Sequence, residues 1–181
     1  AAAFEHHERA LALYRQLSAR DGNADALNGI ALDHAAAGEL TTALMFHEQA
    51  LELAENGHHG ILNDIHNSMG TTLFGLGRLG EARDHHEIAR ALAVEAGDRF
   101  EQARALSGIA ETLARDDLEG AQQLWASALS LYEDMKLPAA DYIRRGRRHR
   151  SFWRPDWCVG RRFESTGRCC AAAAPARAPA A

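Results

Sequence analysis

The same apolar stripe returns three times along this chain at an interval of 39 residues. Leu40, Ala43, Phe46, His47, Ala50 and Leu53 become Leu79, Ala82, His85, His86, Ala89 and Leu92. They become Leu118, Ala121, Leu124, Trp125, Ala128 and Leu131 in the third copy. The spacing i, i+3, i+6, i+7, i+10, i+13 winds down one helical face, whereas a strand would alternate at period two. A unit of roughly 20 to 50 residues cannot bury its own apolar face and must stack on neighbours. The repeat therefore dictates an all-α array and leaves little room for a sheet.

Turn chemistry divides the chain into helices joined by short loops, which favours antiparallel neighbours. The punctuation is Asp21-Gly22-Asn23, Gly38, Asn56-Gly57, Gly77, Gly97-Asp98 and Asp116-Asp117, and proline is absent from residues 1–137. Helices are expected over 4–19, 24–37, 40–55, 61–76, 79–96, 100–114 and 118–135. Each unit has two distinguishable helices. The first reads Ala26-Leu27-Asn28-Gly29-Ile30-Ala31, then Ile65-His66-Asn67-Ser68-Met69-Gly70, then Ala105-Leu106-Ser107-Gly108-Ile109-Ala110. Small residues at Gly29, Ala31, Gly70, Gly108 and Ala110 permit close helix approach, and Leu27, Ile30, Met69, Leu106 and Ile109 fill the contact. The second helix carries the stripe, with Ala43, Ala50, Ala82, Ala89, Ala121 and Ala128 at its closest contacts. The third copy has lost one residue in the turn between its helices. Residues 7–13 match 47–53, so the chain opens on the second helix of a truncated unit; with no initiator Met, it reads as part of a longer protein.

Charge separates two segments. Residues 1–143 carry 23 acidic and 10 basic side chains, whereas residues 144–181 carry ten arginines against Asp156 and Glu164. The expected organisation is a repeat domain over 1–143 and a basic, Ala/Arg/Pro-rich, disordered tail over 144–181. All three cysteines, Cys158, Cys169 and Cys170, lie in that tail without disulfide or zinc-finger spacing, so a reducing cytoplasmic location is expected. Nothing approaches the roughly 18 consecutive apolar residues of a membrane span, and the first residues lack the apolar core of a signal peptide.

Gly70, Gly77, Ala82 and Ala89, with Leu73, Leu79 and Leu92, resemble the tetratricopeptide repeat pattern in an extended form. The resemblance covers residues 4–143 and implies a right-handed superhelix of antiparallel helix pairs whose first helices line a concave groove. The long period and the closing segment 129–141 are also similar to the C-terminal arrays of actinobacterial regulators, namely the Streptomyces antibiotic regulatory proteins and related NTPase-linked transcription factors. No phosphate loop or helix-turn-helix accompanies it, so neither ATP hydrolysis nor DNA reading carries over. By register with the family pattern, the exposed groove side comprises Asp25, Asn28, Leu32, Asp64, Asn67, Thr71, Phe74, Arg104, Ser107, Glu111 and Arg115. Asn28 and Asn67 resemble asparagines that grip a peptide backbone; solvation of a helix surface explains them equally. On that reading, Asn28→Ala with Asn67→Ala leaves melting almost unchanged.

Other candidate chemistry is outweighed by plainer readings. His6, His7, His47, His58, His59, His66, His85 and His86 could supply metal ligands, but a position shared by His7, His47, His86 and Trp125 is better explained by packing. His58 and His59 read as solvated loop residues, and pH sensing by His85 and His86 is an alternative use of imidazoles. Asp116 and Asp117 fall at a turn, and His-Glu pairs recur because the array recurs, so no catalytic residues are expected. Arg144, Arg145, Arg147, Arg148 and Arg150, with Phe152, Trp153 and Trp157, could stack on bases and neutralise phosphates, or fold back on the acidic repeats.

The resulting expectation is a non-catalytic protein-interaction or sensor module with a peptide or protein in its groove, needing no cofactor or metal. Its setting is the C-terminal part of a bacterial cytoplasmic transcriptional regulator. The alternatives are a stand-alone adaptor or scaffold and, in third place, a nucleic-acid binder acting through the tail. Dimerisation through an uncapped end is left open.

Overall fold

A computed structural model describes residues 2–55, 61–137 and 140. Seven α-helices occupy them, with no strand among the described residues: α1 Ala2–Gln16, α2 Arg20–Ala36, α3 Leu40–Glu55, α4 Leu62–Gly75, α5 Leu79–Ala96, α6 Arg99–Leu113 and α7 Leu118–Asp134. The expected tail 144–181, its cysteines, and His58 and His59 lie outside the described residues.

Helices adjacent in sequence pack on one another, and α2 also touches α4 as α4 touches α6. The second helices α3, α5 and α7 make no contact of like extent with each other. The first helices are therefore the closer-spaced layer, which makes theirs the inner wall of a curved α–α superhelix.

The stripe is the core. Ala43, Ala50, Ala82, Ala89, Ala121 and Ala128 are all fully buried, as expected where two backbones approach with only a methyl group between them. Apolar clusters fill the spaces beside them. Leu11, Leu27, Ile30, Leu62 and Ile65 form one, Leu44, Met69 and Leu73 another, and Leu106, Trp125 and Tyr132 a third. Helix ends are set by local chemistry. Gly97 closes α5 in the left-handed region at φ 69°, and Asp98 opens α6 by accepting from the backbone N–H groups of Phe100 and Glu101. Asp117 caps α7 in the same manner through the Gly120 N–H. The residue lost from the third unit is thus absorbed where an aspartate cap stands in for the glycine turn used at Gly38 and Gly77.

One turn differs from expectation. Asp21-Gly22-Asn23 lies inside the first turns of α2, and the chain reverses earlier, with Ser18 in the left-handed region at φ 54°. Gly22 serves contact here: a Cβ on it would run into the Tyr14 ring of α1.

Placing arginine at Ala82 or Ala89 forces a long cation into a contact with no space and no counter-charge. Either substitution should destabilise the domain by about 3 kcal/mol or more, read as a lowered urea midpoint. A variant melting with the wild type would show that the buried face has been misassigned.

Candidate functional site

The inner wall is built from three rows that cross the first helices. Asp25, Asp64 and Arg104 form one row; Asn28, Asn67 and Ser107 the next; Leu32, Thr71 and Glu111 the third. Asp25, Leu32, Thr71 and Arg115 are exposed, while Asp64, Phe74, Arg104, Ser107 and Glu111 are half-buried. Phe74 packs against the Leu44–Met69–Leu73 cluster, so most of its ring serves the core.

The asparagines require a correction. Asn28 and Asn67 are 2% and 1% exposed, so neither side chain faces the groove as expected. Asn28 donates from Nδ2 to Asp64 Oδ2 at 2.9 Å and accepts at Oδ1 from His47 Nδ1 at 2.9 Å. Asn67 repeats the arrangement one unit on, donating to Glu101 Oε2 at 2.7 Å and accepting from His86 Nδ1 at 3.1 Å. An amide that donates to a carboxylate has only its oxygen left for the imidazole, which fixes the histidine proton on Nδ1. His47 Nε2 is then an acceptor, 3.1 Å from Thr72 Oγ1 in the following unit. Each lock therefore ties both helices of one unit to the first helix of the next.

Packing completes it. The His86 ring lies against α4 and α6 where Gly70 and Gly108 leave room; a Cβ on Gly70 would come to 2.8 Å from the ring, and one on Gly108 closer still. Both histidines are held neutral. Burial chiefly pushes His47 down to about 4, aided by His85 and opposed by Asp64. Burial, then Arg104 and His85, push His86 down to about 3.

Charge on the wall is partly consumed in the same way. Arg104 donates to Asp64 Oδ1 at 2.6 Å and to Glu101 Oε1 at 2.7 Å, joining α4 to α6. Burial alone would lower its pKa, but Glu101 and Asp64 outweigh that and raise it, so the guanidinium stays charged. Among the described residues, no arginine pairs with Asp25 in this way. Its carboxyl is raised by burial and then by the neighbouring Asp64, with His7 opposing. The N-terminal end of the wall is therefore an acidic corner.

In the middle unit His66 and His85 face each other, Nδ1 to Nδ1 at 2.9 Å. The repeat places Leu27 and Phe46 there in the first unit and Leu106 and Leu124 in the third. His66 is pushed down to about 4 by burial and by His85. His85 is lowered too, by burial, against the pull of Asp84 and Glu81 and with help from Arg78. Among the described residues, no group of three or more His, Cys, Asp or Glu side chains could hold a metal ion.

The structure thus brings Asn28, Asp64, Asn67 and Arg104 into one network and leaves Leu32, Thr71 and Arg115 outside it. Glu101, Ser68, Thr72 and the two histidines are members that sequence reasoning missed. One signal was available: asparagine precedes histidine by the same 19 residues in two copies (28 to 47, 67 to 86), and both change together in the third, to Ser107 and Trp125.

A tetratricopeptide repeat family model matches residues 62–134. No curated protein matches the chain. Among solved structures, BtubC (BKLC) from P. vanneervenii is similar with a TM-score of 0.65 at 15% identity, over 78% of this chain and 61% of that one. The chain thus spans less than two thirds of that structure, and the likeness concerns fold alone. Together these findings support a tetratricopeptide repeat domain. No described helix is long and apolar enough to cross a membrane.

Asn28→Ala or Asn67→Ala leaves a buried imidazole N–H and a carboxylate without their amide. Each should cost about 1–3 kcal/mol, measured by urea denaturation; unchanged melting would restore the surface reading. Acid should act through the same locks. Unfolded histidines take up a proton near pH 6.5, whereas folded His47, His66 and His86 resist it until about 4, 4 and 3. Stability is thus fully present above about pH 6.5 and falls as pH drops toward 4, by roughly 1 kcal/mol per pH unit for each fully buried histidine. Denaturation midpoints flat between pH 7 and 5 would contradict this.

Proposed function

We propose that the domain is a non-catalytic protein-interaction module that receives a peptide or protein surface along the inner wall of α2, α4 and α6. Tetratricopeptide repeats generally mediate protein–protein interaction, which is the firm part of this reading. One observation carries the choice of surface. The wall keeps an exposed row, Leu32 and Thr71 with half-buried Glu111, in front of a hydrogen-bonded network that is already satisfied. Such a row offers apolar and polar contact without disturbing the stack.

The acidic corner sets the chemistry of the partner. Burial and then the neighbouring Asp64 oppose the ionisation of Asp25, and a cationic side chain placed there would relieve it. The favoured occupant therefore presents Lys or Arg near Asp25 and apolar atoms near Leu32. Asn28 and Asn67 act behind the wall as positioning residues. The setting we favour is the C-terminal, partner-sensing part of a bacterial cytoplasmic transcriptional regulator, a reading supported by the sequence resemblance alone.

A photo-crosslinking amino acid at Thr71, compared with one at exposed Met45 on α3, tests the surface in the intact protein. We expect a protein adduct from Thr71 that disappears when Asp25→Arg and Leu32→Glu are added, and none from Met45. The same adduct from both positions, or one indifferent to those substitutions, would refute the groove.

A further inference from the structure

The middle unit places two imidazoles at a contact that its neighbours make with carbon alone. His66 on α4 and His85 on α5 stand where the first unit has Leu27 and Phe46 and the third has Leu106 and Leu124. Both positions differ together, and the two rings face each other, with centroids 5.1 Å apart and Nδ1 atoms 2.9 Å apart. The buried His47 and His86 each direct Nδ1 at an asparagine amide oxygen, which accepts but has no proton to give. His66 and His85 direct theirs at each other. A neutral imidazole has one N–H and one lone pair, so this contact holds one proton between two nitrogens that are both able to act as ligands.

The spacing suits a metal ion in the place of that proton. Two nitrogens bound to one ion at about 2.0–2.1 Å stand roughly 2.9–3.4 Å apart across angles of about 90–110°. A small turn of the rings brings both lone pairs onto one ion. The ring that donated through Nδ1 then carries its proton on Nε2, so both ligate as neutral imidazoles and no proton is released. His85 is half-buried, which brings solvent to the α5 side of the pair. Asp84 and Glu81, exposed on α5, set negative charge beside His85, and Arg78 opposes them. Two side chains leave the remaining positions to water, so the site is a clip rather than the closed cage of a structural zinc.

We infer that His66 and His85 form a two-imidazole site for a divalent transition-metal ion, which clips α4 to α5 within the middle unit. Imidazole suits copper, nickel and zinc, and affinity for such a site peaks at Cu2+. Oxygen-seeking Ca2+ and Mg2+ find no place in it. The pair lies between the two helices of one unit, and the ion is a ligand distinct from any partner of the inner wall.

The probe is CuCl2, added to the whole chain without an affinity tag and followed by calorimetry, by electron paramagnetic resonance and by thermal melting, with CaCl2 as the control. We expect one tight equivalent of Cu2+, a spectrum split by two imidazole nitrogens, and a melting temperature raised by that equivalent. His66→Leu with His85→Leu copies the Leu106–Leu124 contact of the third unit and so keeps the helices packed. It should bind Cu2+ at least about tenfold more weakly and melt at one temperature with or without the ion. His85→Gln, which changes only the half-buried member, should do the same. A tight equivalent that survives in both variants belongs to other histidines and overturns the site. So does a wild-type spectrum without two imidazole nitrogens, or a wild type that binds Cu2+ no better than the variants.

Discussion

Each helix pair in this chain can bury its apolar face only against the next pair, and the histidine–asparagine lock is where that dependence is concentrated. A buried imidazole is costly unless both nitrogens are occupied. His47 meets the condition with Asn28 on its own unit and Thr72 on the following one. The asparagine in turn holds Asp64, and Asp64 holds Arg104. One interaction therefore spans α2, α3, α4 and α6, and none of its members can be removed without leaving another unsatisfied. Apolar contact supplies the driving force for stacking; the lock fixes the register in which the units stack.

The same arrangement decides what the inner wall can offer. Its polar side chains fall into two groups, those spent on joining units and those left exposed. Asn28, Asn67 and most of Arg104 belong to the first group, which is why a surface rich in amides and charges presents rather few of them outward. Asp25, Thr71 and Arg115 belong to the second, with the apolar Leu32 exposed among them. Because the first group is already hydrogen-bonded between units, a partner received at the exposed row, as proposed, would meet a preformed surface.

The fold was legible because period and turn chemistry agree. All seven helices appear within a few residues of their expected limits, and α2, α4, α5 and α6 end where Gly38, Gly77, Gly97 and the Asp117 cap reverse the chain. The miss at Asp21-Gly22-Asn23 arose from treating glycine as a turn signal, when at Gly22 it makes room for Tyr14. The site was less legible. Asn28 and Asn67 were placed on the correct helices and the wrong side of the wall, because His47 and His86 were weighed as packing residues and their need for a hydrogen-bond partner was not carried through. Glu101 gives no sign in the repeat at all, because its counterpart in the preceding unit is Ile61; only its three-residue spacing from Arg104 hints at a pair.

The third unit shows how far the lock can be replaced. Where Asn and His would stand, Ser107 turns its hydroxyl back onto the Ala103 carbonyl, and Trp125 fills the volume of the imidazole and more. The exchange is concerted: Ser107 lacks the amide that would hold an imidazole and meets the Tyr132 hydroxyl of α7 instead, and a tryptophan has no acceptor to offer an amide. What replaces the polar bridge is apolar area, with Phe100, Tyr132 and Ala140 gathered around the indole. The middle unit departs in the other direction, putting the His66–His85 contact where its neighbours put carbon against carbon. Stability in a stacked array is close to a sum of local terms. Apolar contact within a pair is therefore reduced in the middle unit, where the His66–His85 pair stands in place of carbon against carbon.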